Sequence, residues 1–96
     1  ILLVLGHGSC GGVTAAVSEG GHEHGNIAHL LGTIRNDVSE YVGKADSLEQ
    51  AIRHHTIVQV ERIMSYPHVA EKVKKGEMLV KPAYYDVNTG KVSLLE

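Results

Sequence analysis

Ile1-Leu2-Leu3-Val4-Leu5-Gly6-His7-Gly8-Ser9-Cys10-Gly11-Gly12 is the stretch that decides the fold. Five apolar residues followed by a glycine-rich bend predict a buried strand at Ile1–Leu5 that leads into a helix at about Gly11–Val17. A junction of this kind aims free backbone N–H groups and the positive end of a helix dipole at one point. The sequence places Cys10 there, with His7 three residues earlier.

A thiolate and an imidazole are both good ligands for zinc, so His7 and Cys10 are candidate metal ligands. The glycines between and after them make a tight bend easy. The spacing alone leaves a second interpretation open, in which the cysteine is buried and inert and the histidine is hydrogen-bonded within its loop.

Composition limits the classes of function that the chain can serve. Its 96 residues predict one domain, 1–96, with a small core that oligomerisation or a metal would help to stabilise. A net charge of −2 argues against a nucleic-acid partner, and no apolar run approaches the length of a membrane span, so no membrane partner is expected. One cysteine excludes an intrachain disulfide and indicates a reducing, cytoplasmic compartment. The chain opens without Met inside an apolar run, so we expect residues upstream of it.

The spacing of apolar residues and the positions of glycine, proline and capping residues predict the remaining helices and strands. After a loop at Ser18–Gly25 we expect a long amphipathic helix at Asn26–Val42 ended by Gly43, then a helix that a Ser47 capping box opens and that runs to about Ser65. A short helix begins at Pro67 and is closed by Gly76. Strands at Met78–Tyr85 and Val92–Leu95 flank a hairpin turn at Asp86–Gly90, with Gly90 at positive φ and Pro82 marking an edge or a bulge.

The predicted fold is therefore α/β: a small, partly parallel sheet with flanking helices and a C-terminal β-hairpin.

Three other motifs can be compared with the first loop. Gly6 to Gly11 matches G-x-G-x-x-G, but a dinucleotide unit needs a second strand ending in an acid about 20 residues on, and here Asp37 falls on a predicted helix. A nucleotide-binding module is therefore the least favoured hypothesis. A nucleophile elbow fails because His7 stands where its first glycine belongs, and a cysteine-phosphatase loop fails because Arg35 is the first arginine after Cys10.

The run from His7 to Val13, following an apolar strand, resembles the H-x-x-C-G-G signature of β-class carbonic anhydrases. The resemblance continues through the late helix and turn at Gln59–Ile63 and Tyr66–Val69, and through Gly76-Glu77. It ends with the closing hairpin at Tyr84–Val92. It spans essentially the whole chain, but only the C-terminal part of a family member.

The resemblance implies zinc as cofactor, with His7 and Cys10 as metal ligands and Gly11 and Gly12 completing the cofactor-binding signature. It also implies reversible hydration of carbon dioxide to bicarbonate by zinc-bound hydroxide, in a homodimer or larger homo-oligomer. The family's first cysteine and its Asp/Arg pair lie in a C-x-D-x-R motif that nothing in this chain matches, so no catalytic residue is identifiable here. Relatives that hydrolyse carbonyl sulfide or carbon disulfide, and an inactive truncated homologue acting as an interaction or assembly domain, remain alternatives.

The other polar candidates have plainer interpretations. We expect His22-Glu23-His24 and His29 to be solvated rather than to bind metal, and one of His54 and His55 to be packed and the other exposed. His55 aligns with a position where the family commonly has asparagine. Ser9 is expected to cap the first helix.

Overall fold

The structure, a computed structural model, describes residues 1–18 and 24–95. Its strands are β1 (Leu2–His7), β2 (Val80–Tyr85) and β3 (Val92–Leu94). Its helices are α1 (Gly11–Val17), α2 (Gly25–Asp37), α3 (Leu48–Met64) and α4 (Pro67–Lys74), with 3₁₀ turns at Ser39–Tyr41 and Ala45–Ser47.

The strands form one sheet in the order β1-β2-β3. β1 and β2 are parallel, in a register that sets Leu2 opposite Val80 and His7 opposite Tyr85. β2 and β3 are antiparallel and are joined by the hairpin, in which Gly90 has a φ of +76° as predicted. The α/β class, the partly parallel sheet and the C-terminal hairpin are thus confirmed.

Apolar side chains of α1, α2 and α3 form the core. Its buried members are Val13, Ala16, Val17, Leu31, Ile34, Val38, Ala51 and Ile52. The three helices therefore pack on one another, and α3 also packs across β1 and β2. Since α1 follows β1 after a three-residue loop, this core fixes the loop's position relative to α3.

The second helix is shorter than predicted. α2 ends at Asp37, where Val38 leaves the helical conformation with φ −118° and ψ 29°. The chain then makes a single 3₁₀ turn, through which Val38 stays buried and Tyr41 packs against the core. Buried apolar residues therefore continue beyond the end of α2, which explains why their spacing predicted a helix as far as Val42. The predicted loop at Ser18–Gly25 lies mostly outside the described residues, and Gly25 already belongs to α2.

Both predicted N-terminal caps are wrong. Ser47 precedes α3 but makes no capping hydrogen bond, because its φ of −106° and ψ of 13° are far from the extended conformation of a capping box. Cys10, not Ser9, is the residue before α1, and Ser9 has the left-handed φ of +55° instead.

Pro82 lies in the central strand, not in an edge strand or bulge as predicted. Across the hairpin, the backbone N–H of Asp86 donates to the carbonyl of Lys91, and the N–H of Leu95 donates to the carbonyl of Pro82. Every second residue of β2 therefore points its backbone N–H and C=O groups toward β3, and Pro82 is one of these residues. The ladder with β3 begins only at Ala83, opposite Leu94. The missing N–H of Pro82 thus falls where that ladder ends, and no hydrogen bond inside it is lost.

Candidate metal centre

The loop between β1 and α1 brings the two predicted ligands to one place. His7 is the last residue of β1 and Cys10 directly precedes α1, and both line a cavity of about 200 Å³. The cavity lies beside β1, which is the outer strand of the sheet that the described residues form, with α3 as its other wall. The residues α3 contributes to it are Ile52, His55, Thr56 and Gln59.

The ring of His7 is oriented by its own loop. Its Nδ1 lies 3.1 Å from the carbonyl oxygen of Gly8. Because a carbonyl can only accept, Nδ1 carries the proton in this contact, and Nε2 keeps the free lone pair that a metal ligand needs.

Cys10 is a free, half-buried thiol whose backbone is held by the first turn of α1. Its carbonyl oxygen accepts from the Thr14 N–H at 2.9 Å and from the Thr14 hydroxyl at 2.7 Å. Two hydrogen bonds to one carbonyl fix the residue from which the sulfur projects.

The two signature glycines begin α1, and neither is demanded by packing inside the protein. A Cβ at Gly11 would meet no atom of the described residues within 4 Å. A Cβ at Gly12 would lie 4.0 Å from the Cys10 sulfur and 3.6 Å from the Ile34 side chain, which are ordinary contacts. Their assignment as cofactor-binding residues stays a prediction.

A polar network that the sequence did not reveal lines the same region. Asp37 ends α2 with only 8% of its side chain exposed, and its carboxylate meets three residues of α3. Arg62 donates to both carboxylate oxygens at 3.1 and 2.8 Å. Gln59 donates at 3.1 Å, and the Nδ1 of His55 lies 3.4 Å away. The sequence held one indication of this network. His55, Gln59 and Arg62 are spaced i, i+4 and i+7, so they share one face of α3.

The network sets the ionisation of its members. Hydrogen bonding to Arg62, with the charge of that guanidinium, lowers the pKa of Asp37 despite its burial. Burial lowers the pKa of His55, and the Asp37 carboxylate only partly opposes this. Burial therefore favours the neutral form of the His55 ring, which lies beside the Asp37 carboxylate at the cavity wall.

Of the described histidines, His7 and His55 line this cavity and the others do not. His54 is half-buried like His55, so the prediction of one packed and one exposed ring was wrong; its ring lies against Tyr41 with centroids 5.8 Å apart. His24 and His29 are exposed, while His22 and Glu23 lie outside the described residues.

The donor types at the cavity suit zinc, but their number falls short of a catalytic site. A catalytic zinc takes three protein ligands and keeps a fourth position open. Across residues 1–18 and 24–95, no three His, Cys, Asp or Glu side chains gather closely enough to hold a metal ion. His7 and Cys10 therefore stay predicted ligands, and the described residues add no third ligand close enough to complete a catalytic site.

The chain is similar in sequence to known carbonic anhydrases. A family model described as carbonic anhydrase matches residues 1–92. A carbonic anhydrase from Pseudomonas aeruginosa is 25% identical over 105 residues, covering 99% of this chain and 46% of that protein. Within the described residues, no helix is long and apolar enough to cross a membrane.

Solved structures share the fold. A β-carbonic anhydrase from Sordaria macrospora, described as tetrameric, superposes with a TM-score of 0.80 at 17% identity, covering 97% of this chain and 50% of that one. A Coccomyxa β-carbonic anhydrase in complex with acetazolamide gives 0.80 at 22% identity, covering 97% and 45%. The chain spans about half the length of the relatives it matches.

Proposed function

The chain belongs to the β-class carbonic anhydrase family, and from this premise we propose that it contributes His7 and Cys10 to a zinc centre that hydrates carbon dioxide to bicarbonate. The observation that carries the proposal is the shared cavity: the only cysteine and a histidine with a free Nε2 line one recess. The third protein ligand comes from outside the described residues.

The chain's own residues have definite tasks in this proposal. His7 offers Nε2 while Gly8 holds its Nδ1 proton, and Cys10 offers its sulfur from a backbone anchored by Thr14. Bound zinc would supply a Lewis acid that makes water nucleophilic near neutral pH. Because Cys10 must stay a free thiol to bind metal, a reducing, cytoplasmic setting is part of the proposal.

The cavity walls suit a small, neutral, linear substrate. Apolar side chains line one part of the cavity and would admit carbon dioxide; they are Val4, Leu5, Val13 and Ile52. Thr56, Gln59 and His55 give the α3 wall a polar part, which suits a bicarbonate product. We further propose that the chain works as a homo-oligomer, which its small core favours.

Metal binding tests the ligand assignment. Cobalt(II) titrated into the reduced protein should produce a sulfur-to-cobalt charge-transfer band that zinc abolishes. Cys10→Ser should remove the band, and His7→Ala should weaken metal binding at least about tenfold, since loss of a mere outer-shell partner already costs that much. His29→Ala, which changes an exposed histidine of α2, is the matched control and should leave the titration unchanged.

Activity tests the reaction. Stopped-flow hydration of carbon dioxide by the zinc-loaded chain should exceed the buffer rate, and the excess should vanish in Cys10→Ser. A second function, a non-catalytic assembly domain of the same family, is favoured by one observation: two ligands instead of three among the described residues. Zinc far below one per chain together with no hydration above buffer would establish that alternative and reject the enzyme.

A further inference from the structure

Gly8 lies between the two predicted metal ligands, and both of its backbone groups are hydrogen-bonded. Its N–H donates to the carbonyl of Tyr85 at 3.1 Å, which ties the loop to the end of β2. Its carbonyl accepts from Nδ1 of His7 at 3.1 Å, which orients the ring. The position of Gly8 relative to β2 therefore decides the direction in which His7 presents Nε2.

The side chain of Tyr84 lies directly against Gly8. Tyr84 pairs with Gly6 in the parallel register, and a Cβ at Gly6 would run into Thr56, so Tyr84 lies on the face of the sheet that α3 covers. A Cβ built at Gly8 would lie 3.0 Å from the Tyr84 Oη and 3.9 Å from its Cζ. The first distance is shorter than an ordinary contact, so the hydroxyl occupies the space that a side chain at residue 8 would need.

The ring of Tyr84 is fixed from the helix side. It packs against the core that α1, α2 and α3 form. The guanidinium carbon of Arg53 lies 4.7 Å from the centre of the ring, within the range of a cation–π interaction. Arg53 also donates to Glu49, one turn earlier in α3, at 3.0 Å. Because these contacts hold the ring, a larger residue at position 8 would displace the loop rather than Tyr84.

We propose that Tyr84 is a positioning residue for the candidate metal centre. Its hydroxyl limits where Gly8 can lie, and the Gly8 carbonyl in turn sets the tautomer and the orientation of the His7 ring. The tautomer matters because a ligand nitrogen must carry a lone pair and not a proton. The proposal rests on the proposed role of His7 as a metal ligand, and it adds a residue of β2 to that site.

Nitrogen-15 spectra of the histidine rings test this on the reduced, metal-free full chain. At alkaline pH, where imidazole rings are neutral, His7 of the wild type should be mainly the Nδ1–H tautomer. Gly8→Ala should shift it toward the Nε2–H tautomer, because the added methyl group meets the Tyr84 hydroxyl and displaces the carbonyl. Gly8 is not among the glycines with positive φ, so alanine adds this contact without backbone strain.

Rescue by a second substitution identifies the contact. Tyr84→Phe alone removes the limit on the loop and should leave His7 as a mixture of tautomers. Combined with Gly8→Ala it should restore the wild-type tautomer, because the methyl group then fills the space that the hydroxyl leaves. Tyr85→Phe is the matched control: it makes the same chemical change on the opposite face of β2, where the hydroxyl lies near Gly90, and it should neither disturb nor rescue.

Cobalt(II) titration extends the comparison to the metal. Gly8→Ala should weaken binding at least about tenfold, the cost typical of losing an outer-shell partner of a metal ligand, and the double variant with Tyr84→Phe should recover most of this loss. A wild type that binds no cobalt rejects the ligand assignment of the proposed function, whereas the tautomer comparison still decides whether Tyr84 sets the ring.

Urea denaturation of the same variants separates positioning from packing. A Gly8→Ala variant that is less stable but keeps the wild-type tautomer and cobalt affinity overturns the proposal. Equal rescue by Tyr85→Phe and Tyr84→Phe overturns it as well. Should Gly8→Ala fail to fold, the two single tyrosine variants decide: a His7 tautomer that is the same in Tyr84→Phe as in Tyr85→Phe rejects the role of Tyr84.

Discussion

Asp37 and Arg62 form a two-point ion pair that ties the end of α2 to the last turn of α3. The two oxygen–nitrogen distances are 3.1 and 2.8 Å, and the carboxylate is almost wholly buried while the guanidinium is half-exposed. Gln59 and His55 complete the surroundings of the carboxylate. The pair fixes the helix that forms one wall of the candidate metal centre.

Removing the charge of Asp37 should therefore loosen the packing of α2 on α3. Asp37→Asn keeps the shape but puts an amide N–H₂ group against the donors of Arg62 or Gln59, which should lower the free energy of unfolding by about 1–3 kcal/mol. Urea denaturation measures this. Glu71→Gln breaks an exposed i,i+4 pair with Lys75 and should cost less than about 0.5 kcal/mol; equal losses in both variants would contradict the argument.

The same network predicts how stability depends on pH. The pKa of His55 is lowered from 6.5 by burial, so as pH falls below that value the unfolded chain binds a proton that the folded chain refuses, and the free energy of unfolding falls. The pKa of Asp37 is lowered from 3.8 by Arg62, so its contribution is present above that pH and is lost as pH falls through the folded pKa.

Urea midpoints measured across this range should therefore rise with pH up to about 6.5. His55→Asn should flatten the portion just below that value and leave the acid portion in place. An unchanged slope in His55→Asn would refute the assignment.

Gly6 allows α3 to lie close to β1. A Cβ there would overlap the hydroxyl of Thr56, which is buried and donates to the Ile52 carbonyl at 2.8 Å. Gly6→Ala should cost about 1–3 kcal/mol of unfolding free energy through overpacking.

In a Thr56→Ala background the added methyl group has room, so the cost of Gly6→Ala should shrink by at least about 0.5 kcal/mol in a double-mutant cycle. Gly11→Ala, whose Cβ enters open space, is the control and should be nearly neutral for stability. Additive costs at Gly6 and Thr56 would show that the contact does not limit packing.

Arg35 holds the C-terminal end of α1. Its Nε donates to the Ala16 carbonyl at 2.9 Å and a terminal nitrogen lies 3.5 Å from the Ala15 carbonyl. These are orphan carbonyls of a seven-residue helix, so Arg35→Gln should destabilise the protein by about 1–2 kcal/mol. Hydrogen exchange should show faster opening in peptides covering 13–17 of Arg35→Gln than in those of the wild type. Arg35→Lys keeps the charge without the planar group, so its stability should lie between those of the wild type and Arg35→Gln.

Two glycines should respond in opposite directions to the same substitution. Gly32 lies inside α2, and a Cβ there would meet no described residue within 4 Å, so Gly32→Ala should stabilise by about 0.5–1 kcal/mol. Gly76 has a φ of +76°, so Gly76→Ala should destabilise by about 1–2 kcal/mol. Thermal melting of both variants checks the pair, and a shared sign would contradict the conformational argument.

Local signals predicted much of this fold correctly. Pro67 begins α4, Gly76 follows its end with positive φ, and Gly90 turns the hairpin, because each residue restricts or frees the backbone where it stands. His7 and Cys10 could be picked out because they share one short loop between a strand and a helix.

Features that depend on distant residues were not predictable. Asp37 and Arg62 are 25 positions apart, and no local sequence pattern predicts that they form an ion pair. Leu30 lies four residues before Ile34 and so shares its side of α2, yet Leu30 is exposed and Ile34 is buried, because packing against α1 and α3 covers only part of the apolar face. The position of Pro82 was predicted wrongly for the same reason. The hairpin gives β2 one neighbour, β3, but β2 becomes the central strand only because it also pairs with β1 from the other end of the chain.

The placement of His7 at the end of a strand and of Cys10 at the start of a helix has a kinetic consequence. His7 and Cys10 are neighbours in one loop, but His7 belongs to β1 and Cys10 precedes α1, so the orientation of one side chain relative to the other depends on how α1 docks beside the sheet. Metal binding would then report on a late step of folding. During refolding, the cobalt absorption band should develop after the helical circular-dichroism signal, and its delay would give the time at which α1 docks.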